Sequence, residues 1–116
     1  MNAEDIREYC LKKAEVTESL PFNDTALVFK VNNKMFAILD LGNELRVSLK
    51  CDPDVAIDLR ERFSSVTPGY HLSKRLWNTI YVDGTIDDRL IYQWIDDSYR
   101  LIIESMPKRD RLRLLS

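Results

Sequence analysis

Apolar and polar positions along the chain follow two periods, and each change of period marks a new element. Near the start, Ile6, Tyr9, Cys10 and the pair Lys13-Ala14 recur at the three-to-four spacing of one helical face. Asn2 stands where it can cap this helix, with Glu4 and Asp5 near its positive end and Lys12-Lys13 in its closing turn. From Glu15 to Asp24 no period holds and Pro21 interrupts, so the reading is a connector with no regular structure beyond a turn. The period then falls to two. Leu27, Phe29 and Val31 alternate with Val28 and Lys30, and Met35, Ala37 and Leu39 alternate with Phe36 and Ile38. The second of these strands is apolar on both phases and is expected to be covered on both faces. Asn32-Asn33 lies between them, and asparagine tolerates the left-handed backbone of a tight hairpin. After a turn at Gly42-Asn43, Leu45, Val47, Leu49 and Cys51 alternate with Arg46, Ser48 and Lys50, which predicts one core face and one polar, cationic face.

Asp52-Pro53 reads as a helix start, with a capping carboxylate and proline at the first helical position. Val55, Ala56, Leu59 and Phe63 form the predicted buried stripe, and Ser64-Ser65 releases the helix. Thr67-Pro68-Gly69-Tyr70 fits a type II turn with glycine at positive φ. Thr79 to Val82 is a strand ended by Asp83-Gly84, and Asp87 or Thr85 caps a last helix. Its stripe of Leu90, Ile91, Trp94, Ile95, Leu101 and Ile102 runs until Pro107. The resulting order is α-β-β-β-α-β-β-α, an α+β domain with an antiparallel sheet and helices packed on it. Residues 1–107 form one domain and residues 108–116 a basic tail, in which Lys108, Arg109, Arg111 and Arg113 outweigh Asp110.

Composition narrows the class. The chain has 116 residues, 45% hydrophobic and 31% charged, enough to bury a core and little more than one domain. With 17 basic and 19 acidic side chains the net charge is −2, which excludes a histone-like polycation and leaves room for a local basic patch. No apolar run approaches the roughly 20 residues that span a bilayer, so no membrane partner is expected. Met1 to Asp5 is acidic where an export leader would be basic and then apolar. Cys10 and Cys51 lack the spacing of a zinc or redox pair and read as small buried hydrophobes, although one bridge between them is open from sequence alone. Together these point to a reducing cytosol.

Chemistry-bearing motifs are few. There is no phosphate-cradling glycine loop, no nucleophile elbow and only one histidine, His71. The acid pairs Asp87-Asp88 and Asp96-Asp97 read as helix cap and solvated face. No catalytic residue, metal site or cofactor is expected. Residues 70–78, Tyr-His-Leu-Ser-Lys-Arg-Leu-Trp-Asn, are denser in aromatic, cationic and amide groups than the rest. Such groups stack on bases, meet phosphates and read base edges; alternatively Tyr70 and Trp77 fill the core while Lys74 and Arg75 cover a bend.

Several strings also resemble one known family. Leu27 to Val31 followed by Lys34 to Ala37 looks like the opening hairpin of the MmcQ/YjbR family of small bacterial proteins, and Leu49 to Pro53 like its strand-to-helix junction. Pro68 to His71, Lys74-Arg75 and Trp77-Asn78-Thr79 match its most distinctive string, and Asp96 to Tyr99 a similar acid-Ser-Tyr element. The likeness covers residues 2–106. Asn32-Asn33 replaces a glycine-rich turn, Leu72 and Leu76 differ within the string, and the tail is an addition. What the resemblance implies is a compact α+β fold with a double-wing arrangement of two hairpin-like projections, and DNA binding by analogy of shape. The surface it nominates is Lys30, Lys34, Lys50, His71, Lys74, Arg75, Trp77 and Asn78, to which the cationic phase of the third strand adds Arg46. The alternative is a protein-interaction or chaperone-like adaptor without enzymatic activity, motivated by Val28, Phe36 and Ile38 on the second sheet face. A third reading, a small-ligand site, requires a pocket joining His71, Lys74 and Asn78.

Overall fold

The computed structural model describes residues 1–20 and 24–115; Pro21, assigned above to the connector, lies outside the described residues. The elements run α1 (Ala3–Leu11), β1 (Val16–Ser19), β2 (Ala26–Val31), β3 (Lys34–Asp40), β4 (Arg46–Lys50), α2 (Pro53–Arg62), β5 (Val66–Pro68), β6 (Trp77–Tyr81), α3 (Asp88–Glu104) and α4 (Lys108–Leu115). All neighbouring strands pair antiparallel in one six-stranded sheet of order β1-β2-β3-β4-β6-β5. The α+β class holds.

Local chemistry explains most boundaries. Asn2 and Asp5 form a reciprocal capping box, each side chain bonding the other's backbone N–H at 2.9 Å. Asn32 and Asn33 both adopt left-handed φ, 50° and 64°, closing the β2–β3 hairpin as expected. Asp87 caps α3 by accepting from the Arg89 N–H at 2.9 Å. Asp52 occupies the cap position of α2 ahead of Pro53, yet its side chain makes no capping bond.

The connector expectation is corrected. Val16 to Ser19 pair with β2 as an edge strand, entered through left-handed Glu15 (φ 58°). A bidentate bond from Arg7 on α1 to Glu18, at 2.8 and 2.6 Å, ties that edge to the first helix. The type II turn is corrected too. Gly69 has no positive φ, and Val66 to Pro68 form an edge strand on β6, where proline's missing donor costs no ladder bond.

Helices cover one face of the sheet. Phe29, Val31, Ala37, Leu39, Val47, Leu49 and Ile80 meet Ile6, Cys10, Ile91, Ile95 and Ile103 in a single core. A register shift at Phe29/Lys30 leaves Phe36 as the extra residue of β3. Phe36 is fully buried and meets the Tyr99 ring edge-on at 5.3 Å. Of the stripe expected on α2, Ala56 and Leu59 are buried, whereas Val55 is 46% exposed. The predicted tail also changes character: residues 108–115 form α4, which packs back on α3, buries Leu114 and joins Arg113 to Glu15 at 2.8 Å.

Candidate functional site

Strand register sorts the nominated residues between the two faces. The face opposite the helices carries Lys30, Met35, Ile38, Ser48, Lys50 and Thr79 by alternation. Lys30 is opposite Met35, and Lys50 is opposite Trp77 at the end of β4. Lys34 opens β3 beside the hairpin turn. Leu76, one residue after Arg75, accepts the N–H of Cys51 at 2.8 Å, so Lys74-Arg75 reach the same end of the sheet. Lys30, Lys34, Lys50, Lys74 and Arg75 therefore share one end, with Lys30 and Lys50 two strand spacings apart, about 10 Å. None of the five makes an ion pair among the described residues.

Four nominated residues do not belong to that surface: Asn78, Trp77, Arg46 and His71, which lines the cleft described below. Asn78 points to the helical side and is fully buried; its Nδ2 donates to the Ala56 carbonyl at 3.2 Å, tying β6 to α2, while its Oδ1 has no partner. Trp77 is 9% exposed and lies against Gly69. These are packing roles: the bend at 69–76 closes down on β6 and covers Trp77, while α2 covers Asn78 from the other face. Arg46 lies at the far end of the sheet and is neutralised by Asp40, which accepts from its Nε at 3.0 Å and its Nη2 at 2.7 Å. Burial opposes ionisation of Asp40, but bonds from the Gly42 N–H and Arg46 outweigh it and hold the carboxyl below its usual range. The bond to Asp40 likewise raises Arg46.

Arg46 instead forms one wall of a cleft. Residues 70–72 arch over the open face, and the space beneath them, about 340 Å³, is lined by Ala26, Ile38, Asp40, Arg46, Ser48 and the arch itself. That size suits a small ligand. The Arg46 guanidinium stacks over the Tyr70 ring at 4.5 Å, and the Tyr70 and His71 rings stand 4.1 Å apart. His71 holds a left-handed φ of 59°, an uncommon conformation for a residue with a side chain. Thr79 anchors the arch by accepting the Tyr70 N–H at 3.0 Å and shares a 2.8 Å bond with Ser48. The third reading anticipated His71 in a pocket; Lys74 and Asn78 do not line this one, and Asp40, Ser48 and Tyr70 were not nominated. Only the pairing register brings Asp40 opposite Arg46 and Ser48 opposite Ile38.

The remaining nominated features are structural. Asp96 accepts from the Tyr9 hydroxyl at 2.8 Å and pairs with Lys13. Ser98 donates to the Phe36 carbonyl at 2.5 Å and accepts the Lys50 N–H at 2.9 Å, and Tyr99 donates to the Ala14 carbonyl at 2.8 Å. The acid-Ser-Tyr element is thus a clamp holding α3 to α1, β3 and β4. Val28 and Phe36 are fully buried and Ile38 floors the cleft, so the apolar positions behind the adaptor reading are largely covered by the chain itself. Cys10 and Cys51 are free and buried, and burial pushes their thiols up to about 12 and about 11. No helix among the described residues is long and apolar enough to cross a membrane.

Comparison with known proteins agrees with this architecture. The crystal structure of Deinococcus radiodurans protein DR2400, of domain DUF419, superposes with a TM-score of 0.92 at 36% identity, covering 97% of this chain and 87% of that one. A Pseudomonas syringae protein of known crystal structure follows at a TM-score of 0.77 and 25% identity, over 87% of this chain and 98% of its own. The uncharacterised protein YjbR of Escherichia coli (strain K12) is 34% identical over 99% of this chain and 98% of its own length. The YjbR family model matches residues 11–101, and the chain is accordingly a member of the YjbR family.

Proposed function

We propose that the protein binds nucleic acid, DNA in the first place, through the cationic end of its sheet, and performs no covalent chemistry there. The observation that carries this reading is the gathering of Lys30, Lys34, Lys50, Lys74 and Arg75 from separate segments at one end of the sheet, none paired with a carboxylate among the described residues. Unpaired amines and guanidinium groups spaced over several strands match phosphates by charge, and such contacts position a duplex without reading its sequence. The net charge of −2 limits the affinity, so binding is weak and salt-sensitive. A reducing cytosol is the compartment this reading takes, consistent with two buried free thiols.

Fluorescence anisotropy of a labelled duplex across a salt series tests the reading. With about four phosphates neutralised, the log–log slope is roughly −3.6. No binding at low salt, or an affinity indifferent to salt, refutes it.

A further inference from the structure

We infer that the cleft beneath Tyr70, His71 and Leu72 is a receptor for a single uncharged planar heteroaromatic ring carrying a hydrogen-bond acceptor on its edge, the chemistry of a nucleobase. The inference rests on the nucleic-acid reading only for the case in which the base belongs to a strand.

Three features select this ligand class. The cleft is bounded by the apolar side chains of Ala26, Ile38 and Leu72 together with the Tyr70 ring, a lining that favours a flat apolar body. Among the described lining residues the guanidinium of Arg46 is matched by Asp40, and both are held by further contacts: Asp40 accepts the Gly42 N–H at 2.9 Å, and Arg46 stacks on Tyr70. A ligand with its own formal charge therefore finds no unmatched partner between these two groups, and a neutral ring pays no such penalty. The third feature is Ser48, which is 7% exposed and lines the cleft. Thr79 Oγ1 already accepts the Tyr70 N–H. When Thr79 in turn donates to Ser48 across their 2.8 Å bond, the Ser48 hydroxyl proton is left over, with the cleft beside it. In that arrangement the buried hydroxyl suits an acceptor nitrogen or carbonyl on a ring edge.

The arch supplies the remaining requirement. Tyr70 is 56% exposed and, with Arg46 stacked over its ring and His71 beside it, presents a wall of flat groups to the cleft, while the left-handed turn at His71 and the Thr79 anchor hold the arch over the sheet. Ser48 precedes Lys50 by two positions on one strand, about 7 Å. A base seated in the cleft thus leaves its flanking phosphates within reach of the cationic end. This geometry favours an unpaired base over a paired one, whose edges and faces are occupied within the duplex.

NMR titration of isotope-labelled protein with free adenosine, guanosine, cytidine and thymidine, and with single-stranded and duplex DNA of equal length, tests the inference. Nucleosides at millimolar concentration are expected to shift the amides of Ser48, Tyr70, His71 and Leu72 and to leave Lys30, Lys34 and Lys74 unmoved. A single strand is expected to shift both groups and a duplex only the second. Tyr70→Ala weakens nucleoside binding about tenfold, and Ile38→Trp, which fills the cleft from its floor, abolishes it; Lys74→Glu leaves it unchanged. Silent cleft amides in every titration, or nucleoside binding by Tyr70→Ala and Ile38→Trp equal to that of the native protein, overturn the inference. DNA binding with silent cleft amides leaves the phosphate contacts standing and removes the base receptor. Nucleoside binding without any DNA binding does the reverse, and identifies a free nucleoside as the source of the ring.

Discussion

A Cβ added at Gly69 would stand 2.7 Å from the Cβ of Trp77 and 3.0 Å from its carbonyl oxygen, so this glycine is required by close approach of the bend to β6, with no positive φ involved. The bend needs that closeness because the Gly69 N–H donates to the same Trp77 carbonyl at 2.8 Å. Asn78, one residue on, spends its amide on an α2 carbonyl and leaves a buried oxygen unbonded, a local cost of about 1–3 kcal/mol that the surrounding core offsets. Tyr9 carries a pH prediction. Burial, with the bond to Asp96, pushes its hydroxyl up to about 12. A tyrosine in the unfolded chain ionises near 10, so the folded state holds this proton more tightly. The stability involved is fully present below pH 10 and is lost as pH rises from about 10 to about 12. Urea midpoints measured through that range should fall in the native protein, and Tyr9→Phe should flatten the fall.

At the scale of elements, edges and termini behave differently from the sheet centre. β3 and β4 are flanked on both sides, and their apolar alternation alone predicts them. β1 is four residues of mostly polar character, and its pairing with β2 and the Arg7–Glu18 bond supply what its own pattern lacks. α4 follows the same logic. It is strongly basic and amphipathic only over a short span, yet Leu114 inserts against the helical layer and Arg113 bridges to Glu15 and Asp110. Ending the chain after Pro107 should therefore cost about 2–3 kcal/mol, read as a lower urea midpoint. DNA affinity should be unaffected, because α4 packs on α3 on the other side of the sheet.

For the molecule as a whole, position decides which cations matter. Basic side chains are plentiful on both sides of the sheet, but Arg7, Lys13, Arg46, Arg62, Arg89, Arg100 and Arg113 are each paired with a carboxylate. Five of the unpaired cations meet where the β2–β3 hairpin, the end of β4 and the 69–76 bend come together, whereas Lys12, Arg60, Lys108, Arg109 and Arg111, also without an ion pair among the described residues, lie on or beside the helices. Lys50→Gln and Lys74→Gln should each weaken duplex binding and reduce the steepness of its salt dependence by about one unit. Arg109→Gln, on α4, should change neither, and anisotropy across the same salt series distinguishes them.

The sequence by itself determined the first three helices, the central strands, the Asn32-Asn33 hairpin and the α+β class, because periodicity and capping act between residues a few positions apart. It also placed Lys30, Arg46 and Lys50 on the phase opposite the core, since alternation along a strand is a local property. Tertiary structure alone decided which of those cations stay free. Asp40 neutralises Arg46 through the β3–β4 register, and the bend buries Trp77 while Asn78 turns toward α2. The cleft has the same origin: Ile38, Ser48 and Tyr70 become neighbours only when three strands pair and the arch folds over them. Burial and ion pairing depend on partners distant along the chain, and a one-dimensional pattern carries no record of those partners.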